Sequence, residues 1–180
     1  RLDGASLDGA RLDGASLVGA SLDRASLVGA SLVDARLDGA SLDRASLVGA
    51  RLVGASLDRA RLDGASLDRA SLVDARLDPI RDDLYAVLSA VPAEVPGLLA
   101  ALREGRINGS VYTGACACLV GTIANLRGCE YTAIEGLTPN ASRLIEVWFL
   151  ALRPGHTPET HPVAAVTAQW IESWLAAGAA

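Results

Sequence analysis

Residues 1–20 read R-L-D-G-A, S-L-D-G-A, R-L-D-G-A, S-L-V-G-A, and the same five-residue period runs on without a break to Leu77. Every fifth residue from Leu2 to Leu77 is Leu, and every fifth from Ala5 to Ala75 is Ala. The remaining positions are nearly binary: Ser or Arg before each Leu, Asp or Val after it, then Gly, Arg or Asp. A period of five matches neither the 3.6 of a helix nor the 2 of a flat strand. Leu at i, i+5 and i+10 marches around a helix instead of marking one face, so an Ala- and Leu-rich bundle is excluded.

With Leu at the centre of each pentad and Ala two residues before it, the segment resembles the pentapeptide-repeat family. That resemblance implies a right-handed, four-sided β-helix: each pentad forms one side of a square coil, four pentads close a turn, and Leu and the preceding Ala point inward. On that reading the 78 residues make just under four coils and a rod ~19 Å long at the inter-strand spacing. The expected core includes Leu7, Leu27, Leu47, Leu67, Ala10, Ala30 and Ala50, a continuous column that no single pentad can bury alone. The Gly positions that follow Asp or Val are expected to take unusual dihedrals at the corners.

Stacking pentads four by four aligns Asp3, Asp23, Asp43 and Asp63 on one side, with Arg24 and Arg44 beside them to offset repulsion. Two adjacent sides carry Val28 and Val48, and Val33, Val53 and Val73. This β-branched stripe is either strand-favouring filler or a self-association surface. The repeat uses only seven residue types before Pro79, whereas the rest of the chain has a full, irregular vocabulary. That uniformity is the mark of a consensus-engineered repeat fused to a natural-type domain.

Asp78-Pro79 ends the register and supplies an N-cap and first-turn Pro for a helix. Ile80, Leu84, Val87, Leu88 and Val91 then fall on one face. Further helices are expected over Pro96–Glu104, stopped by Gly105, over Ala115–Arg127, over Ala141–Leu152, and from Pro162 to Ala177 with Val166, Trp170, Ile171 and Trp174 as the apolar face. Arg106–Thr113 reads as a loop or short strand. The chain therefore divides into a solenoid, 1–78, and a helical domain, 79–180. The segment Cys116-A-C-L-V-G-T-I-A-Asn125 is similar to C-terminal extensions of phage-type pentapeptide-repeat proteins, a resemblance that brings no catalytic residues. The expected role of the helical domain is to cover the open end of the solenoid, whose strand edges and Leu column would template aggregation. Nothing comparable precedes Arg1, so that end is expected to fray or pair with another molecule.

Residues 1–78 hold 12 Asp and 10 Arg, a net charge of −2; residues 79–180 hold 9 acids and 6 Arg, a net of −3. Lys is absent, which argues against tracking nucleic-acid phosphates. No signal peptide or membrane-length apolar run is visible, and three Cys without an export signal point to reduced thiols in a cytoplasm. Cys116, Cys118, Cys129, His156 and His161 are the only set of metal-ligand types outside the carboxylates, and their spacing supports neither a metal site nor a Cys–His nucleophile. Both His are expected at the surface. Asn140-Ala-Ser142 matches a glycosylation pattern that a cytoplasmic protein does not use. No catalytic residue, cofactor or small-molecule substrate is expected.

The leading expectation is thus a non-catalytic scaffold that forms a homo-oligomer, a dimer being favoured, through its helical domain, with Trp148, Phe149, Trp170 and Trp174 as contacts. The alternative comes from the family: some pentapeptide-repeat proteins mimic B-DNA and inhibit DNA gyrase. Such mimicry needs a strongly acidic face, whereas here Arg nearly balances Asp. Ice binding needs ordered outward Thr, which the repeat lacks.

Overall fold

The computed structural model describes residues 1–115, 117–135, 137–140 and 143–178. The chain splits into two compact units, Arg1–Pro79 and Ile80–Ala180.

In the first unit each pentad from Ser6 onward contributes one ladder residue, the Ser or Arg before Leu, and these pair in parallel 20 positions apart: Ser6 with Ser26, Ser26 with Ser46, Ser46 with Ser66. Four pentads therefore make one coil, and the unit is a β-solenoid. One pentad, Ser26–Ala30, shows how its backbone is satisfied. Ser26 N–H donates to Ala5 O of the preceding coil, Leu27 N–H to Ser46 O and Gly29 N–H to Val48 O of the next, and Ala30 N–H back to Leu27 O across the turn, at 2.7–3.1 Å. The fifth, Val28 N–H, donates to the Asp8 carboxylate at 3.0 Å. Every donor of the pentad is met, as a buried or half-buried backbone requires.

The turns dictate which residue follows Asp or Val. All 15 of these positions from Gly4 to Asp74 have φ between 54° and 68°, including six that are not Gly: Arg24, Asp34, Arg44, Arg59, Arg69 and Asp74. A left-handed backbone penalises any Cβ by roughly 1–2 kcal/mol. Gly29→Ala, which has open space around the added methyl, is therefore expected to cost about 1 kcal/mol through the dihedral alone. Arg59→Gly is expected to be neutral to stabilising by up to about 1 kcal/mol, since relieved strain outweighs added chain freedom. Urea midpoints of the two variants check this; shifts of the same sign would contradict it.

Leu27 and Leu47 are 0% exposed and Leu67 2%, and Ala30 and Ala50 are 0% exposed. Leu7 and Ala10, expected in the core, are only half-buried, because their coil is stacked on one side only. Leu2 in the same coil is 37% exposed.

The second unit is helical. Helix α1 spans Asp78–Ala90 and buries Ile80, Leu84, Val87 and Leu88. Helix α2, Val95–Arg103, ends where Gly105 turns left-handed (φ 67°). Gly105 N–H then reaches Leu102 O, and Arg106 N–H reaches Ala101 O, the paired bonds of a Schellman end. Helix α3, Leu119–Arg127, is closed the same way at Gly128. It starts four residues later than the expected Ala115, because Ala117 pairs in parallel with Ile107 and Cys118 N–H is taken by Val111 O. The loop or short strand expected over Arg106–Thr113 is a loop with a single bridge residue, Ile107.

A 3₁₀ turn at Tyr131–Ala133 carried no sequence signal. Helix α4 is only Leu144–Phe149; the expected start at Ala141 lies outside the described residues, as do Ser142 and Cys116. Asp83 anchors the α4 start, accepting Ile145 N–H at 3.0 Å and an Arg143 guanidinium bond at 2.6 Å. Helix α5, Pro162–Gly178, buries Val163, Ala164, Thr167, Ala168 and Ile171. That stripe is rotated from the expected one: Val166, Trp170 and Trp174 sit half-buried at its margin. Small residues at 164 and 168 let α5 approach closely, and α2 packs against both α5 and α3. No described helix is long and apolar enough to cross a membrane.

Candidate functional site

The outward surface of the solenoid is a lattice of polar contacts between coils. Asp after Leu accepts from the Ser hydroxyl 18 residues on: Asp8 from Ser26, Asp13 from Ser31, Asp23 from Ser41, Asp38 from Ser56. Its carboxylate also takes the backbone N–H 20 residues on, as Asp13 does for Val33 (3.1 Å) and Asp23 for Asp43 (3.2 Å). Where Arg replaces Ser, the bond becomes an ion pair, Arg61 with Asp43 and Arg76 with Asp58. Where Val replaces Asp, the acceptor is lost, and among the described residues Val48 and Val53 N–H have no partner.

The Asp3–Asp23–Asp43–Asp63 column lines an open groove of about 670 Å³ with Gly4, Arg24, Arg44 and Arg61. The expected charge compensation is organised differently from the stacked sequence. Asp23 is answered by Ser41 and Asp43 by Arg61. Arg24 and Arg44, though adjacent, enter no ion pair among the described residues.

Of the valine stripe, Val28 is 40% and Val73 60% exposed, while Val33, Val48 and Val53 are half-buried by their neighbours. Val18, also exposed at 49%, stands on another side and was missed because it has no Val above it. In the helical unit, Trp148 (3% exposed) and Phe149 (0%) are core residues. The Trp148 indole donates to Thr167 Oγ1 at 2.9 Å, and its ring packs on Trp170 at 5.9 Å. The four aromatics expected as contacts thus reduce to the half-buried Trp170 and Trp174.

Residues 5–44 and 45–78 match the family model "Pentapeptide repeats" in eight copies. Residues 5–78 are pentapeptide repeats. Among solved structures, a pentapeptide repeat protein from Nostoc PCC 7120 is 37% identical, covering 41% of this chain and 60% of its own, with a TM-score of 0.40. HetL, a pentapeptide repeat protein involved in heterocyst differentiation regulation from the same cyanobacterium, is 40% identical over 43% of this chain and 38% of its own (TM-score 0.25). Rfr23 from Cyanothece 51142 is 30% identical over 41% and 51% (TM-score 0.32). The chain thus spans between about two fifths and three fifths of the length of these relatives. No curated protein matches it.

The pentapeptide-repeat lattice is expected to be acid-sensitive. Asp3, Asp13 and Asp38 are held below the ordinary carboxylate range, first by the hydroxyls of Ser21, Ser31 and Ser56. A carboxyl with a lowered folded pKa stabilises above its unfolded value and loses that contribution as pH falls through the folded one. Stability should therefore hold at neutral pH and decline below about pH 4. Asp13→Ala, which strands Ser31 Oγ and Val33 N–H, should destabilise the repeat at neutral pH, and that loss should shrink as pH falls through the lowered Asp13 pKa. Urea unfolding at neutral and acid pH measures both, and a pH-independent difference would contradict the assignment.

Among the described residues, the helical unit buries one carboxylate, Glu146, 5% exposed. It accepts Tyr112 Oη–H at 3.0 Å and Asn140 N–H at 2.9 Å, tying two loops to α4. Burial first, and Glu146 second, push the Tyr112 hydroxyl up to about 12. Cys118 is buried and Cys129 half-buried, both free thiols; burial raises the Cys118 thiol. That state makes it a packing residue and a poor nucleophile. Among the described residues neither Cys joins a group of three or more metal-ligating side chains. His161, expected at the surface, is buried (3% exposed), its ring stacked on His156 at 4.2 Å.

Proposed function

We propose that the protein is a non-catalytic scaffold. Its repeat is a consensus-engineered, right-handed solenoid of just under four coils, and its natural-type, phage-like helical unit caps the solenoid and joins copies into a homo-oligomer, a dimer first. The observation that carries this reading is the use of the polar side chains. Much of the Asp and Ser and part of the Arg complement is engaged in bonds between coils, which favours shape and stability over a reactive constellation. The seven-letter alphabet of residues 1–78 supports the engineered origin. Free thiols at Cys118 and Cys129 suit a reducing cytoplasm.

DNA mimicry of the gyrase-inhibitor kind is the weaker reading. It needs uncompensated carboxylates, and several here are answered by Ser hydroxyls or Arg.

Light scattering on the full chain tests self-association. A mass twice that of one subunit is expected, falling to one for a Trp170→Gln/Trp174→Gln variant and unchanged for Val28→Ser/Val48→Ser. A one-subunit mass for the unaltered protein overturns the oligomer. Loss of the dimer only in the valine variant moves the contact to the solenoid side.

A further inference from the structure

Asn108-Gly109 is the one Asn-Gly pair in the chain; the other two asparagines precede Leu126 and Ala141. In a free Asn-Gly segment the glycine backbone nitrogen attacks the Asn side-chain carbonyl carbon. A five-membered succinimide forms, ammonia leaves, and water reopens the ring. One product is aspartate; the other is isoaspartate, in which the main chain runs through the side-chain methylene. Gly favours the reaction because no Cβ shields its nitrogen.

The fold uses both residues. A Cβ on Gly109 would stand 1.7 Å from Phe149 O and 2.3 Å from Phe149 C, so only Gly fits. Asn108 Oδ1 accepts Ser110 N–H at 3.3 Å and Ser110 Oγ–H at 2.7 Å, which shapes the turn. The same contacts disarm the reaction. The Gly109 N–H, the attacking group, is committed to Leu152 O at 3.1 Å, and Asn108 N–H to Ala117 O at 2.9 Å. Gly109 is buried, and the amide it would attack is held on Ser110.

We propose that Asn108 is a latent deamidation site, closed in the folded helical unit and opened when that unit unfolds. The two products then have different fates. Aspartate keeps a side-chain oxygen for Ser110 and rebuilds the turn. Isoaspartate adds a main-chain methylene directly before Gly109, where the backbone has no spare room against Phe149, so the Gly109–Leu152 bond cannot re-form. Isoaspartate at 108 therefore accumulates in chains that have unfolded and keeps them from returning.

The full-length protein is incubated at mildly alkaline pH with and without guanidinium chloride at a denaturing concentration. Deamidation at each asparagine is followed by peptide mass and isoaspartate detection. Native protein should react at Asn108 at least about tenfold more slowly than unfolded protein, since reaction waits on local opening. Asn125 and Asn140 should stay intact in both states over the same time. After the denaturant is diluted out, chains with aspartate at 108 should appear in the native fraction and chains with isoaspartate should not. Equal rates at Asn108 in the two states, or isoaspartate recovered in the native fraction, overturn the proposal.

Discussion

Leu47→Ala is expected to lower unfolding free energy by about 3–5 kcal/mol, among the largest losses available to a single truncation in the solenoid. Leu47 is 0% exposed, with Leu27 and Leu67, 20 residues away on either side and at most 2% exposed, above and below it. Removing three carbons there leaves a void that the column cannot collapse to fill, because each coil is fixed by backbone bonds on both faces: Leu47 N–H to Ser66 O and Ser46 N–H to Ala25 O. The same change at Leu7, half-buried in its coil, should cost less than about 2 kcal/mol, since part of the side chain already meets water. Denaturant midpoints of the two variants give the comparison. Equal losses would mean that Leu7 and Leu47 share one environment, contrary to the stacking described.

Gly109→Ala is expected to cost about 3 kcal/mol or more, and to act on the helical unit. The added methyl would overlap Phe149 O, Phe149 C and Leu150 N, all backbone atoms that no rotamer change can move. Gly29→Ala, with empty space around its methyl, is the contrast within one molecule. All three Trp lie after Pro79, so tryptophan fluorescence reports the helical unit. G109A should lose the native emission at a lower denaturant concentration, and G29A should not. An unshifted G109A midpoint would show that the backbone at 109 can yield.

The solenoid was legible because its signal is repeated: 16 Leu and 15 Ala at one spacing leave no competing period. The left-handed positions were partly legible where they hold Gly. Arg24, Arg44, Arg59 and Arg69 gave no such hint, because their backbone is imposed by the turn on either side. The polar lattice was hidden for a different reason. Asp3 and Ser21 are 18 apart, neither a pentad multiple nor a coil, so alignment by columns puts Asp under Asp and misses the diagonal contact. The rule that would have found it is that Asp after one Leu answers the Ser or Arg before the Leu one coil on.

In the helical unit, Pro79, Gly105, Gly128 and Pro162 marked ends well because they act locally. The stripe on α5 was misjudged because hydrophobicity favoured Trp170 and Trp174 over Ala164, Thr167 and Ala168. Close packing selected the small residues, and Thr167 gained its place by receiving the Trp148 indole. Glu146 left no local signal; its donors come from loops 34 residues before it and 6 before it.

Residue-resolved amide hydrogen exchange of the repeat tests the central claim most directly, that four pentads make one coil and that Asp side chains complete its backbone bonding. Amides of Leu and of the left-handed residues should be protected throughout the inner coils. After Leu, the amides of Val28, Val33 and Asp43, which follow an Asp by 20 residues, should exchange slowly. Those of Val48 and Val53, which follow a Val by 20, should exchange fast. Protection of these five amides without regard to the residue 20 positions earlier would contradict the coil.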